Sequence, residues 1–287
     1  MNTLAVTSPR RRRVDSLARW ALLAGVVLAL APLALVLLYV LKRGVGALSL
    51  SFFTTDPTGA FFGDQGGIKS AILGTIEIVA LATAIAVPVG VTLAVYLNEI
   101  GRKSKLAMAV RYFVDVLTGV PSILFGLFIY IVFVVGGMLT GFAAWKGSAA
   151  LALLMLPIVT RTSEVSLALV PDSLREAALA LGAPRWRVIL RVVLPTALPG
   201  LLTGGLLAVA RASGETAPLL FTVLGAQATT FSLGAQMNSL PLQIFNDVRE
   251  PNPQLVTRAW GAALTLIVMI LLLNVAARLA ARRNHLR

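Results

Sequence analysis

Residues 171–195 read PDSLREAALALGAPRWRVILRVVLP, a polar, arginine-bearing stretch held between two long apolar runs. Ser173 opens an S-x-x-E pattern closed by Glu176, the spacing of a capping box in which each side chain satisfies a backbone amide at a helix start. Ala177 to Leu181 suit the helix so begun. Gly182 marks its stop, because glycine enters the left-handed conformation that closes a helix without steric penalty. Pro184 then suits the first turn of a second helix. The pattern predicts a helix–turn–helix lying on a surface, and the flanking segments say what kind of surface.

The runs on either side, residues 142–170 and 196–224, each exceed the ~20 apolar residues that cross a bilayer. Similar runs occur at 18–41, 71–97, 108–136 and 259–280, and 57% of the 287 residues are hydrophobic against 13% charged. With no water in the hydrocarbon to satisfy backbone groups, spans of this composition must be helical. The sequence therefore predicts an all-α integral membrane protein with a six-helix transmembrane domain over 18–280, between basic tails at 1–17 and 281–287. Spans three and four are separated only by Gly136, Gly137 and Gly141. Residues 10–13, RRRR, precede an apolar run too long for the core of a signal peptide, so that segment reads as a retained anchor.

Six spans place both termini on one side. Seventeen of the 25 basic residues fall on that side, in the N-tail, the 98–111 turn, the 171–195 loop and the C-tail. Lysine and arginine concentrate in the cytoplasm, so both termini and the 171–195 loop are expected there. Lys42 and Arg43 are a local exception on the other side. The larger loops 42–70 and 225–258 then face outward. Their short apolar stretches, such as LPLQIF at 240–245, fit either surface-lying helices that receive an outside partner or ordinary loop packing.

The net charge of +13 does not indicate nucleic acid, because the basic residues flank apolar segments and form no single face. The absence of cysteine excludes disulfides, zinc–thiolate sites and thiol catalysis, and the sole histidine, His285, reads as a solvated tail residue. GDQGGIKS at 63–70 fails the phosphate-loop pattern, since Ile68 stands where a glycine must precede Lys69. No other nucleotide or hydrolase signature occurs, so the chain is expected to be neither an enzyme nor a holder of its own nucleotide.

Two basic residues remain inside spans, Arg161 and Arg211. A charge at the bilayer centre costs on the order of 3 kcal/mol even on insertion scales, so such residues face a cavity or a partner. Arg211 stands thirteen residues after Leu198, about 20 Å along a helix that needs ~30 Å to cross. Arg161 stands twelve residues after Ala149 on a span running the other way. Both are expected near mid-depth, at similar heights. Each has an acid one turn on, Glu164 at i+3 and Glu215 at i+4, spacings that share a helix face. These pairs either neutralise buried charge or line a polar path in which guanidinium groups offer bidentate donors to a tetrahedral oxyanion. Gly214 and Pro218 favour a weak point in the fifth span that could free backbone donors toward that path. Glu77 and Asp115 read as interfacial or paired with nearby basic residues; Phe125, Phe128, Tyr130 and Phe133 read as lipid-facing or packing residues.

The 171–195 loop resembles the E-A-A-x3-G-x9-[I/V]-x-L-P loop of bacterial ABC-importer permeases, carried here by Glu176, Ala177, Ala178, Gly182, Val192, Leu194 and Pro195. R-x-x-G-E-T-A-P-L, at Arg211, Gly214, Glu215, Thr216, Ala217, Pro218 and Leu219, is similar to the fifth-span signature of the phosphate-specific, PstA-type branch. LPIVTRTSE (156–164), VPDSLREAALALGAP (170–184) and GGIKSAILGT (66–75) match the same branch, so the likeness covers roughly 66–280. The resemblance implies a type I importer permease fold in a bacterial inner membrane. It implies a loop helix, at Glu176, Ala177, Ala178 and Gly182, that docks on a cytoplasmic ATPase. It also implies a phosphate path using Arg161, Glu164, Arg211, Glu215 and Thr216, with Gly214 and Pro218 as a hinge. The partners implied are a second homologous permease subunit, an ATPase dimer carrying ATP and magnesium, an extracytoplasmic phosphate-binding protein, and the bilayer. Two rivals are a permease for another oxyanion, such as sulfate, molybdate or phosphonate, and a stand-alone anion channel or ion-coupled carrier.

Overall fold

A computed structural model of the chain describes residues 9–60, 63–102, 104–136 and 140–284. The expectations placed on residues 1–8, Lys103, Gly137, His285 and Arg287 lie outside them. The described chain is helical, with one isolated bridge, Pro57 to Gly66, in place of any sheet.

The long α1 (Pro9–Gly44) is followed by the short α2 (Leu50–Thr54), whose first turn is capped by Ser49 Oγ accepting from Phe52 N at 3.1 Å. Then α3 (Lys69–Val95) continues through a wider turn at Tyr96–Ile100. The next apolar run is not one straight span. Helix α4 (Lys105–Gly119) ends at Val120, and α5 (Ser122–Ile129), extended by Tyr130–Val135, leaves at 103° to it. Pro121 supplies the reason: the residue before a proline is pushed out of the helical region, and Val120 sits at ψ 128°. The span expected at 108–136 is therefore bent at its middle.

Helix α6 (Ala144–Ala168) leads into α7 (Asp172–Ala180), then α8 (Arg185–Val188), which runs through Ile189–Val193 into α9 (Leu194–Ser213). Only the first half of the expected surface helix–turn–helix is a separate helix. The second half is the start of a continuous 29-residue apolar helix, Arg185–Ser213. A short α10 (Ala217–Thr222), then α11 (Leu240–Arg249) and α12 (Pro253–Asn284) complete the chain. Leu240, Leu242, Gln243 and Asp247 of α11 are buried, so LPLQIF packs into the body instead of lying on its surface.

Side-chain contacts fix the direction of each crossing. Ser148 Oγ donates to Ile78 O at 2.9 Å and Gly90 abuts Val159, so α3 and α6 run parallel in one register. The bent α4–α5 pair must then carry the chain from the end of α3 back to the start of α6, which counts it as a crossing. Gly204 abuts Thr162 and Gly200 abuts Ser166, so α9 runs antiparallel to α6. With α1 and α12 there are six crossings, and both described ends emerge on the face that carries α7.

Small residues make these approaches possible. In lipid, packing replaces the hydrophobic drive between helices, so Gly, Ala and Ser collect where helices touch. A Cβ on Gly204 would lie 2.1 Å from Thr162 Oγ1, and one on Gly126 of α5 would lie 2.5 Å from Pro218 Cα of α10. Helix α6 is the centre of the molecule, with 56% of its most apolar window buried; α1, with 0%, is the periphery. Helix α1 meets the body only near its end, where Tyr39 stacks edge-on against Trp260 and Gly44 abuts Leu264.

The loops opposite α7 are tied together by polar groups. Asp56 accepts from the amide and hydroxyl of Thr229, at 2.9 and 2.6 Å. Burial pushes this carboxyl up, but the two Thr229 bonds and nearby Lys69 outweigh it and hold the group below its usual range. A buried ion pair joins Asp247 of α11 to Arg258 of α12 at 2.7 Å.

Candidate functional site

Arg161 and Glu164 occupy the face of α6 that meets α4. Arg161 directs Nε, at 2.9 Å, and Nη2 to Asp115 Oδ1, while its Nη1 donates to Glu164 Oε2 at 2.8 Å. Glu164 is shared: its Oε1 accepts from Arg111 Nε at 2.6 Å, and Arg111 Nη2 donates to Leu97 O at 2.7 Å. Arg111 and Asp115 are four apart on α4, so two helices contribute one basic and one acidic residue each to a neutral quartet. Glu164 is the enclosed member and Asp115 the exposed one, with side chains 14% and 57% accessible. Sequence reasoning paired Arg161 with Glu164 and expected Asp115 near a basic residue, but did not bring Arg111 into the set.

Arg211 is held differently. It lies in the last turn of α9, where a cation also complements the helix dipole. Its Nε is 3.6 Å from Glu215 Oε1, too long for a hydrogen bond, and its side chain is 59% accessible. Its guanidinium therefore keeps donors available, whereas Arg161 is already engaged by two carboxylates.

The two arginines do not share a height. The pairs Gly204–Thr162 and Gly200–Ser166 set the register of α9 on α6, and that register puts Arg211 level with Met155. Arg161 is six residues further along, about 9 Å at 1.5 Å per residue, and on the side nearer α7. The expectation of similar heights was too coarse: ~20 Å from one edge of a ~30 Å span and ~18 Å from the opposite edge already differ by ~8 Å, in line with this register.

Between Arg211 and α10 the helix is interrupted at Gly214–Thr216. Thr216 stands before α10, and its carbonyl accepts from the amides of Leu219 and Leu220, both at 3.1 Å. The amides of Gly214 and Glu215 bond back to Arg211 O and Ala212 O, so they are not free donors. Pro218 is buried in the first turn of α10 against Gly126.

On the α7 face, the capping box expected of Ser173 and Glu176 does not form. The helix starts at Asp172, with Pro171 in the capping position and no side-chain cap, so Ser173 is already inside the helix. Glu176 and Ala177 are exposed, and Ala178 packs toward Val188 and Val193. Gly182 has φ +82° and Ala183 N donates to Ala178 O at 3.2 Å, the left-handed stop that glycine permits. Beyond it the tip of the turn shows Leu181 and Trp186, 90% and 58% accessible. A rigid short helix ending in an exposed apolar tip suits insertion into a groove of another protein.

Arg175 of α7 is the further charged residue that the sequence did not single out. It bridges to Glu99 at the end of the second crossing, at 2.8 Å, although the two are 76 residues apart. The hydrogen bonds to Glu99 raise its pKa above the ordinary arginine value, against the opposing effect of burial.

Six crossings, a loop helix on the face of both described ends, and arginines inside the apolar body define a polytopic membrane protein with polar groups along its spans. Residues 86–285 match the family described as binding-protein-dependent transport system inner membrane component, and the chain belongs to that family. The phosphate transport system permease protein PstA of Yersinia pestis is 41% identical over 278 residues, 96% of this chain and 92% of that protein. The protein of the same name from Pasteurella multocida is 41% identical over 244 residues, 85% of this chain and 86% of its own length. PstA 1 of Mycobacterium tuberculosis H37Rv is 40% identical over 286 residues, 96% of this chain and 92% of that one. In fold, the chain superposes on a bacterial alginate ABC transporter, crystallised with an alginate pentasaccharide-bound periplasmic protein, with TM-score 0.68 at 16% identity and 96% coverage of both chains. It also superposes on the inward-facing MetNI methionine ABC transporter with TM-score 0.60 at 23% identity, over 76% of this chain and 94% of that one. The importer-permease fold and a membrane transport role follow.

Proposed function

We propose that this chain is the transmembrane permease subunit of an ATP-driven importer of inorganic phosphate, and that it forms half of the translocation path. The observation that carries the reading is Arg211, an arginine set in an apolar helix with donors uncommitted, in a chain about two-fifths identical to phosphate permeases. A guanidinium presents paired N–H groups in the geometry of a phosphate edge, which a lysine does not.

Both termini and α7 are cytoplasmic in this reading, as the distribution of arginine and lysine favours. Phosphate handed over by an extracytoplasmic binding protein meets Arg211 first. Arg161 lies ~9 Å deeper. There the anion competes with Asp115, the exposed carboxylate, for the same guanidinium, which keeps the second station from holding phosphate too tightly. Glu164 and Arg111 keep Arg161 oriented from behind. The apolar stretch of α1, exposed along all but its end, supports assembly with a second, homologous permease chain that supplies the other wall. Glu176, Ala177, Ala178 and Gly182 belong to the helix that docks on a dimeric ATPase, which binds the ATP and magnesium; this chain binds neither.

Deleting the chain's gene from its own organism tests the substrate. Growth and uptake at limiting phosphate are expected to fail while sulfate uptake continues at its normal rate. Normal phosphate uptake with lost sulfate uptake would transfer the assignment to another oxyanion.

A further inference from the structure

Helix α7 has no buried residue of its own, yet it is the element read here as receiving the ATPase stroke. Something must make its movement the movement of the spans. Among its polar side chains, Arg175 reaches deepest into the body, with its side chain only 16% accessible.

Every N–H of this guanidinium is committed. Nε donates to Glu99 Oε2 at 3.2 Å and Nη2 to Glu99 Oε1 at 2.8 Å, a bidentate clasp on the end of the α3 crossing. Nη2 also donates to Leu167 O at 2.9 Å and Nη1 to Val170 O at 2.6 Å, at the open end of α6. Nη1 donates finally to Asp172 Oδ1 at 3.0 Å within α7 itself. Five donors thus meet five acceptors on three elements, and only arginine carries five donors in one rigid plane. Leu167 O, in the last turn of α6, also accepts from Val170 N at 3.3 Å, and Val170 O lies just past the helix end, where a cation is favoured by the helix dipole. Helices α3 and α6 in turn pack against each other along the parallel register described above, and α6 carries Arg161.

We propose that Arg175 is the positioning residue that couples α7 to the path: it locks the loop helix to the ends of α3 and α6, so that displacement of α7 moves the helix bearing Arg161. The inference rests on the reading of α7 as the helix that docks on the ATPase, and it adds the joint through which docking reaches the spans. It assigns Glu99 a defined task as the acidic half of that joint. It also makes lysine an inadequate substitute, since three donors on a flexible stem cannot hold three elements at once.

The test uses the assembled complex in proteoliposomes, with phosphate moved per ATP hydrolysed as the readout. Arg175→Ala is expected to leave the ATPase associated and hydrolysing within twofold of wild type, while phosphate moved per ATP falls at least tenfold. Arg175→Lys should recover only part of that ratio. Glu99→Gln, which spares the carbonyl contacts, should fall in between, and it carries the test if Arg175→Ala fails to accumulate. An unchanged ratio in both Arg175→Ala and Glu99→Gln overturns the proposal. So does loss of the ATPase from Arg175→Ala, which would make the residue a support for the docking surface only. The chain has no cysteine, so spin labels at Ile100→Cys and Ala180→Cys, both exposed, report the joint directly. Their distance should stay single and narrow on ATP binding and broaden with Arg175→Ala; an equally narrow distance in that variant contradicts the joint. Glu176→Lys separates the two readings. If it leaves ATPase association unchanged, the docking role of α7 fails; if it abolishes association while Arg175→Ala keeps the wild-type ratio, the present proposal alone fails.

Discussion

Arg211→Gln is expected to lower ATP-driven phosphate uptake about 100-fold while the complex still assembles. A hydrogen bond to a charged group contributes about 1.5–3 kcal/mol, and each 1.4 kcal/mol is tenfold, so losing one charge-assisted contact in the path suffices for that loss. Assembly should survive because Arg211 has no hydrogen-bonded acid to strand: Glu215 stands 3.6 Å away, and the arginine is mostly exposed. Arg211→Lys keeps the charge but loses the paired donors, and should recover uptake only in part. Uptake by Arg211→Gln at the wild-type rate would reduce Arg211 to a neutralising partner of Glu215. The same substitution at Arg161 is a less clean probe, because it would leave Asp115 without its partner and Glu164 with Arg111 alone.

Asp247→Ala should produce the largest loss of stability in the chain. Arg258 and Asp247 are 8% and 4% accessible and joined by two bonds, Nε to Oδ2 at 2.8 Å and Nη2 to Oδ1 at 2.7 Å. Asp247 also accepts from Gln243 Nε2 at 2.7 Å, and Gln243 Oε1 accepts from Asn238. Removing the carboxylate leaves a buried guanidinium with Gln65 O as its remaining named acceptor. Breaking one partner out of a buried pair costs about 3–5 kcal/mol, whereas replacing both with apolar residues of similar volume is often close to neutral. Asp247→Ala is therefore expected to lower the melting temperature in detergent by roughly 10 °C, and Asp247→Leu with Arg258→Met by much less. Equal losses in the two would show that local packing, and not the stranded charge, sets the stability there.

Hydropathy made the six crossings legible, because each must present some twenty apolar residues whatever its packing. Gly182 was legible for a similar reason: a left-handed stop has one preferred residue, and φ +82° is where it sits. Bends and register were not. The 103° bend at Val120–Pro121 leaves hydropathy untouched, although Pro121 carried the signal. The register of α9 on α6 depends on which glycine faces Thr162, and no periodicity encodes that choice. The continuity of α8 with α9 was hidden because Arg185, Arg187 and Arg191 look like loop charges while extending a helix beyond the lipid. Partners distant in sequence were invisible as well. Arg175 and Arg111 were counted only among the basic residues of one side, without their partners Glu99 and Glu164, and Arg258 was placed with the loops though it is buried. The acid one turn from each intramembrane arginine was found by spacing alone, but the difference between the engaged Arg161 and the open Arg211 is a property of the packed helices.

Transport by the reconstituted complex gives the most direct measurement. Proteoliposomes holding this chain, its companion permease and the ATPase, supplied with the binding protein outside and ATP and magnesium inside, should accumulate radiolabelled phosphate and leave sulfate outside. Vesicles with this chain alone should accumulate neither. Phosphate flux through this chain alone, without ATP, would contradict the account and make the protein a channel or carrier in its own right.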